Sequence, residues 1–82
     1  MEIKVLGMGC TKCNSLEKTV REVINELAIE ATVEKVTDIK EIAKAGVMVP
    51  PGLMIDGKVK LTGKVPTKAE LTNIITTVLM ES

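Results

Sequence analysis

The residues with the clearest capacity for chemistry are two thiols, Cys10 and Cys13, in the stretch Gly7-Met8-Gly9-Cys10-Thr11-Lys12-Cys13. They are the only cysteines in the chain. Three chemistries use such a pair: thiol–disulfide exchange, soft-metal binding, and a structural crosslink. The chain contains no His, so neither thiol has an imidazole as base or co-ligand. Placed at the start of a helix, Cys10 and Cys13 stand one turn apart on the same side, within bridging reach. Their settings then differ. Cys10 faces the unpaired N–H groups and positive end of the helix, which favour its thiolate, and Lys12 adds positive potential. Thiols so placed titrate at roughly 3.5–7.5 instead of about 8.5. Cys13, deeper in the helix, stays protonated. That asymmetry suits an exchange in which Cys10 attacks a disulfide and Cys13 resolves the mixed disulfide.

The elements that must hold the pair follow from the aliphatic pattern. Residues 2–6 read as a short buried strand leading into the motif. A helix over about 11–27 leads out, with Leu16, Val20, Val23, Ile24 and Leu27 on one face. Ala31 to Val36 reads as a second strand, parallel to the first because a helix separates them. Asp38-Ile39-Lys40-Glu41 has capping-box spacing and Gly46 sits where a helix ends, so 39–45 is a short helix with Ile42 and Ala45 inward. Val47-Met48-Val49-Pro50-Pro51-Gly52 interrupts regular structure. Leu53-Met54-Ile55 and Lys58 to Leu61 flank Asp56-Gly57, a hairpin signal with no further role expected for that dipeptide. Thr67-Lys68-Ala69-Glu70 opens a last helix with Leu71, Ile74, Ile75, Val78 and Leu79 inward. The order is β-α-β-α-β-β-α.

Bulk composition narrows the function classes. Eighty-two residues are expected to form one domain, 1–82, that buries only about 60–65% of its unfolded surface. With no Phe, Tyr or Trp, the core is aliphatic and base stacking has no platform. Eleven basic and eleven acidic residues are scattered, so no nucleic-acid or membrane footprint is expected. No apolar run reaches the roughly 18 residues of a span, and the N-terminus lacks a signal-peptide pattern, which reads as a cytoplasmic protein. In that reducing setting a CxxC pair is more often catalytic or metal-binding than a staple.

With CxxC opening the first helix and a proline just before the third strand, the chain resembles the thioredoxin core. It is most similar to small thioredoxin-like, glutaredoxin-sized redox-active disulfide proteins. The resemblance runs from Ile3 to about Leu79. It is carried by Gly9-Cys10-Thr11-Lys12-Cys13, Gly46 to Pro51, Leu53 to Val59, and Gly63-Lys64-Val65-Pro66. It implies an α/β fold, a four-stranded mixed sheet with helices on both faces, and thiol–disulfide oxidoreductase activity. Cys10 and Cys13 would be catalytic and form the redox-active disulfide, with no other cofactor and no metal. Thr11, Lys12, Pro50 and Pro51 would contact substrate, with Pro51 as a cis-proline facing the pair. Implied partners are protein disulfides and a flavin-dependent thioredoxin reductase-type reductant, and the implied state is a monomer.

Two departures from the family pattern stand out. Pro50 precedes the cis-proline position, so one backbone N–H that usually holds substrate is missing. No acid lies between Ile3 and Asn14, and Lys4 falls roughly where the family keeps a carboxylate beneath the second cysteine. The alternative is a Cu(I) metallochaperone, since Gly7-Met8-Gly9-Cys10-Thr11-Lys12-Cys13 also resembles the Gly-Met-x-Cys-x-x-Cys motif of heavy-metal-associated domains. That fold runs βαββαβ, and the helical pattern after the second strand argues against it. A structural zinc site would need more ligands than one chain offers. Methionines in an aromatic-free core usually fill gaps, which is expected of Met54 and, less firmly, of Met8 and Met48. The last two also lie in the loops nearest the sulfurs, where they would form an apolar rim.

Overall fold

A computed structural model describes residues 1–9 and 11–81. The elements are β1 (Glu2–Leu6), α1 (Thr11–Leu27), β2 (Thr32–Val36), α2 (Ile39–Lys44), β3 (Gly52–Ile55), β4 (Lys58–Thr62) and α3 (Lys68–Glu81). The sheet order is β2-β1-β3-β4. β1 runs parallel to β2 and antiparallel to β3, and β3 is antiparallel to β4. The expected mixed sheet is therefore present.

Alternation along β1 divides the interior into two layers. Ile3 and Val5 face one side, where they join Leu53 and Ile55 of β3, Leu16, Val20 and Val23 of α1, and Leu71, Ile75 and Val78 of α3. Leu6 faces the other side and packs with Ile42 of α2 and with Val47, beside the partly buried Met54. No charged or polar side chain is buried among the described residues.

The helical stripes are shorter than their periodicity implied. Leu27 and Leu79 are 40% and 43% exposed, not inward. Near these ends the core is closed instead by Ile29, just after α1, and by Val78 of α3.

Local signals set the ends of the elements. Asp38 caps α2, its carboxylate accepting from Lys40 N at 2.9 Å. Thr67 Oγ1 accepts from Glu70 N at 3.2 Å at the start of α3. Asp56 and Gly57 both have positive φ, at 49° and 83°, as a two-residue hairpin turn requires. Asp56 does more than turn the chain. Its Oδ1 accepts from Glu2 N at 2.8 Å while its own N–H donates to Glu2 O, pinning the hairpin to the start of β1.

Candidate active site around Cys13

Three segments converge at one end of the sheet. The first is the exit from β1. Gly7 continues the β1–β2 ladder, its N–H donating to Val36 O at 2.9 Å. It is buried with the thiol side chain of Cys13 against its Cα. A methyl group at residue 7 would run into Cys13 Sγ and stand 3.0 Å from Cys13 Cβ and 3.9 Å from Pro50 Cβ. Only glycine fits there. Gly9 follows with φ of +78°, a left-handed conformation that glycine adopts without penalty.

The second segment is the first turn of α1. Thr11 and Lys12 are exposed, whereas Cys13 is 1% exposed. Cys13 is disulfide-bonded. Cys10, and with it the expected thiolate at the helix start, lies outside the described residues. No buried carboxylate stands beneath Cys13 among those residues. Lys4 is half-buried and pairs with Glu2 at 3.5 Å instead of serving the thiol.

The third segment runs from the end of α2 into β3. Gly46 has φ of +87°, its N–H donates to Ala43 O at 3.0 Å, and Val47 N donates to Ile42 O at 3.2 Å. This is a Schellman closure, with Val47 packed with Ile42 as that motif favours. It turns Val47 under the start of β3, where a side chain at Gly52 would stand 2.7 Å from Val47 Cγ2. The chain between these two anchors holds the prolines. The Pro50–Pro51 peptide bond is cis, as expected. Pro51 is buried and its carbonyl accepts from Gly63 N at 2.8 Å, while Pro50 is exposed.

Around this convergence the surface is apolar. Met8 is 64% exposed, Met48 90% and Val49 60%. Core filling is therefore wrong for Met8 and Met48, and the rim is the correct reading. Met54 does pack inward, against Leu6, Ile42 and Val47. Of the sequence-selected residues, Cys13 and Pro50 meet at Gly7, Pro51 lies in the same turn, and Thr11 and Lys12 project from the adjoining helix start. Sequence reasoning did not single out Gly7 itself, the Val47–Gly52 contact, or Val49. A glycine directly after a buried strand and three residues before a CxxC was the available signal for the first.

The α2 helix after β2 and the closing α3 do not fit the βαββαβ order of the copper-carrier alternative. The sequence profile of a family described as thioredoxin domain matches residues 1–76. A thioredoxin of Methanothermobacter thermautotrophicus is 41% identical over 75 residues, covering 92% of this chain and 97% of the relative. A thioredoxin of Methanocaldococcus jannaschii is 41% identical over 69 residues, covering 84% of this chain and 79% of the relative.

Proposed function

The chain belongs to the thioredoxin domain family and is a thiol–disulfide oxidoreductase, and we propose that exchange runs through Cys10 and Cys13. The observation that carries this assignment is the meeting of Cys13, Gly7 and the cis Pro50–Pro51 turn at one end of the sheet.

In the reduced protein the Cys10 thiolate attacks one sulfur of a partner disulfide. The partner's other sulfur leaves as a thiolate and takes up a proton. Cys13 then loses its proton and attacks the Cys10 sulfur, expelling the second partner thiol. Two protein thiols become the Cys10–Cys13 disulfide, and the partner disulfide becomes two thiols, with two electrons and two protons transferred. Residue order and burial support the division of labour. Cys10 directly precedes α1, where free N–H groups and the helix dipole stabilise a thiolate. Cys13 is too deeply buried for a protein partner to reach, which suits a resolving thiol. With no buried carboxylate among the described residues, its proton leaves to water.

Thr11, Lys12, Pro50 and Pro51 form the substrate contact. Pro50 offers no N–H, so substrate is held by fewer backbone hydrogen bonds and by more side-chain contact with Met8, Met48 and Val49. The Cys10–Cys13 disulfide is the redox group, without metal or organic cofactor. The partners are protein disulfides and a reductase of the flavin-dependent thioredoxin reductase type, and the protein acts as a cytoplasmic monomer. Among the described residues no helix is long and apolar enough to cross a membrane.

The test is reduction of a disulfide-bonded protein with dithiothreitol as electron source. Cys10→Ser is expected to abolish turnover, and Cys13→Ser to accumulate a mixed disulfide at Cys10. Full turnover by Cys10→Ser would overturn the assignment.

A further inference from the structure

The surface around Cys13 differs in charge from the rest of the molecule. The whole chain balances eleven basic residues against eleven acidic ones. Yet the segments at the site, residues 7–13 and 46–52, together with residues 62–67 that the bond from Gly63 N to Pro51 O ties to them, contain two lysines, Lys12 and Lys64, and no carboxylate. Lys12 is exposed and makes no ion pair among the described residues.

Three acids border these segments, Asp38, Glu41 and Glu70, and of these only Glu70 is paired with a lysine among the described residues. The β2–α2 connection, which lies beside Gly7 through the bond to Val36, carries Asp38, and that carboxylate accepts from Lys40 N at 2.9 Å. Glu70 pairs with Lys64 at 3.2 Å and accepts from the Thr67 hydroxyl at 3.3 Å. The Lys64 ammonium, first, and then the Thr67 hydrogen bonds hold its carboxyl below the usual carboxylate value. The Lys64 side chain remains 64% exposed in that pair, so a second anion can reach it. The same segments expose the apolar side chains of Met8, Met48 and Val49. Gly63 joins these parts. Its N–H is bonded to Pro51 O and its Cα lies against Val49, which fixes Lys64, the next residue, beside the proline turn.

We propose that this face recognises a polypeptide segment whose disulfide is flanked by carboxylates and apolar side chains. The proposal rests on the dithiol-exchange reading and names the substrate class of the same site. The physical argument has two parts. A missing N–H at Pro50 leaves discrimination to side chains, and Lys12, unpaired among the described residues, with a Lys64 that stays 64% exposed in its pair with Glu70, favours acidic partners over basic ones. Complementary charge of this kind acts mainly on encounter rate and on rejection of wrong partners.

The experiment uses the full chain, reduced with dithiothreitol and freed of excess reductant. Two cystine peptides are compared, identical except for Glu or Lys on either side of the disulfide. The second-order rate constant for reduction of each is measured at about 0.01 M and about 1 M salt, where the screening length falls from about 30 Å to about 3 Å. The acidic peptide is expected to react about tenfold faster at low salt, a modest case of electrostatic steering. The ratio should approach one at high salt. In the Lys12→Glu/Lys64→Glu double variant the preference should invert, and because rates are compared as a ratio within each protein, altered thiol reactivity cancels. Equal rates for the two peptides with wild type at low salt, or a ratio unmoved by charge reversal, would overturn the proposal. Wild type is also tested on bis(2-hydroxyethyl) disulfide, which has neither charge nor side chains. Reduction of disulfides without peptide discrimination defeats the acidic-partner proposal alone, whereas failure on both peptides and on this compound defeats the dithiol reading and the proposal together.

Discussion

On one side of the sheet, α1 and α3 close over ten buried aliphatic residues contributed by β1, β3 and both helices. On the other side, the buried cluster among the described residues is Leu6, Ile42 and Val47, under the six-residue α2. The larger layer supplies most of the buried apolar area and hence most of the stability. The smaller layer includes the residue that sets the path of the proline turn, since Val47 is fixed by the end of α2 and packs against Gly52. Stability and site geometry thus rest on different sides of one sheet, and each side can be weakened separately.

The sharpest test of this division is Ile75→Ala, at a position with 0% exposure in the larger layer. A loss of about 2–5 kcal/mol is expected by urea unfolding. Against a total of roughly 4–12 kcal/mol for a domain of this size, that is a severe loss. Turnover of the fraction that stays folded at low temperature should be nearly unchanged. Val47→Ala, on the other side, should cost only about 1–2 kcal/mol. Its effect on protein-disulfide turnover should nevertheless be several-fold, because Gly52 and the prolines lose their support. Equal turnover in the two variants would remove the distinction.

A smaller effect compares the two helix ends. α2 ends on Gly46 at φ +87°, whereas α1 ends on Ala28 at φ +52° with the same closure, Ile29 N donating to Ile24 O at 3.1 Å. Alanine in that conformation carries a cost of roughly 1–2 kcal/mol, part of which glycine returns through its freer unfolded chain. Ala28→Gly is expected to stabilise by about 0.5–1 kcal/mol in thermal unfolding without altering turnover, since this end lies away from Cys13.

These comparisons show what was legible in the sequence. Element order and limits followed from signals a few residues apart: the Leu16-Val20-Val23 spacing, the caps at Asp38 and Thr67, and the Asp56-Gly57 turn. The exposure of Leu27 and Leu79 was not legible, because it depends on which elements elsewhere in the chain cover each end of the helical stripe. Nor was the bond from Glu2 N to Asp56, which joins residues separated by 54 positions. Ala28 carried no glycine to announce a left-handed residue. At the site, the cis bond at Pro51 was anticipated only through family resemblance, while the fit of Gly7 against Cys13 needed coordinates.

That fit has a consequence for how the sequence can drift. Met8, Met48 and Val49 project into solvent and accept many side chains at little structural cost, so partner preference can be retuned there freely. Gly7 has no such latitude, because its backbone and the Cys13 thiol occupy adjoining space with no room for a single added carbon. Neighbouring positions in one loop therefore sit at opposite extremes of tolerance. New partners can be acquired at residue 8, while residue 7 keeps the reactive centre fixed.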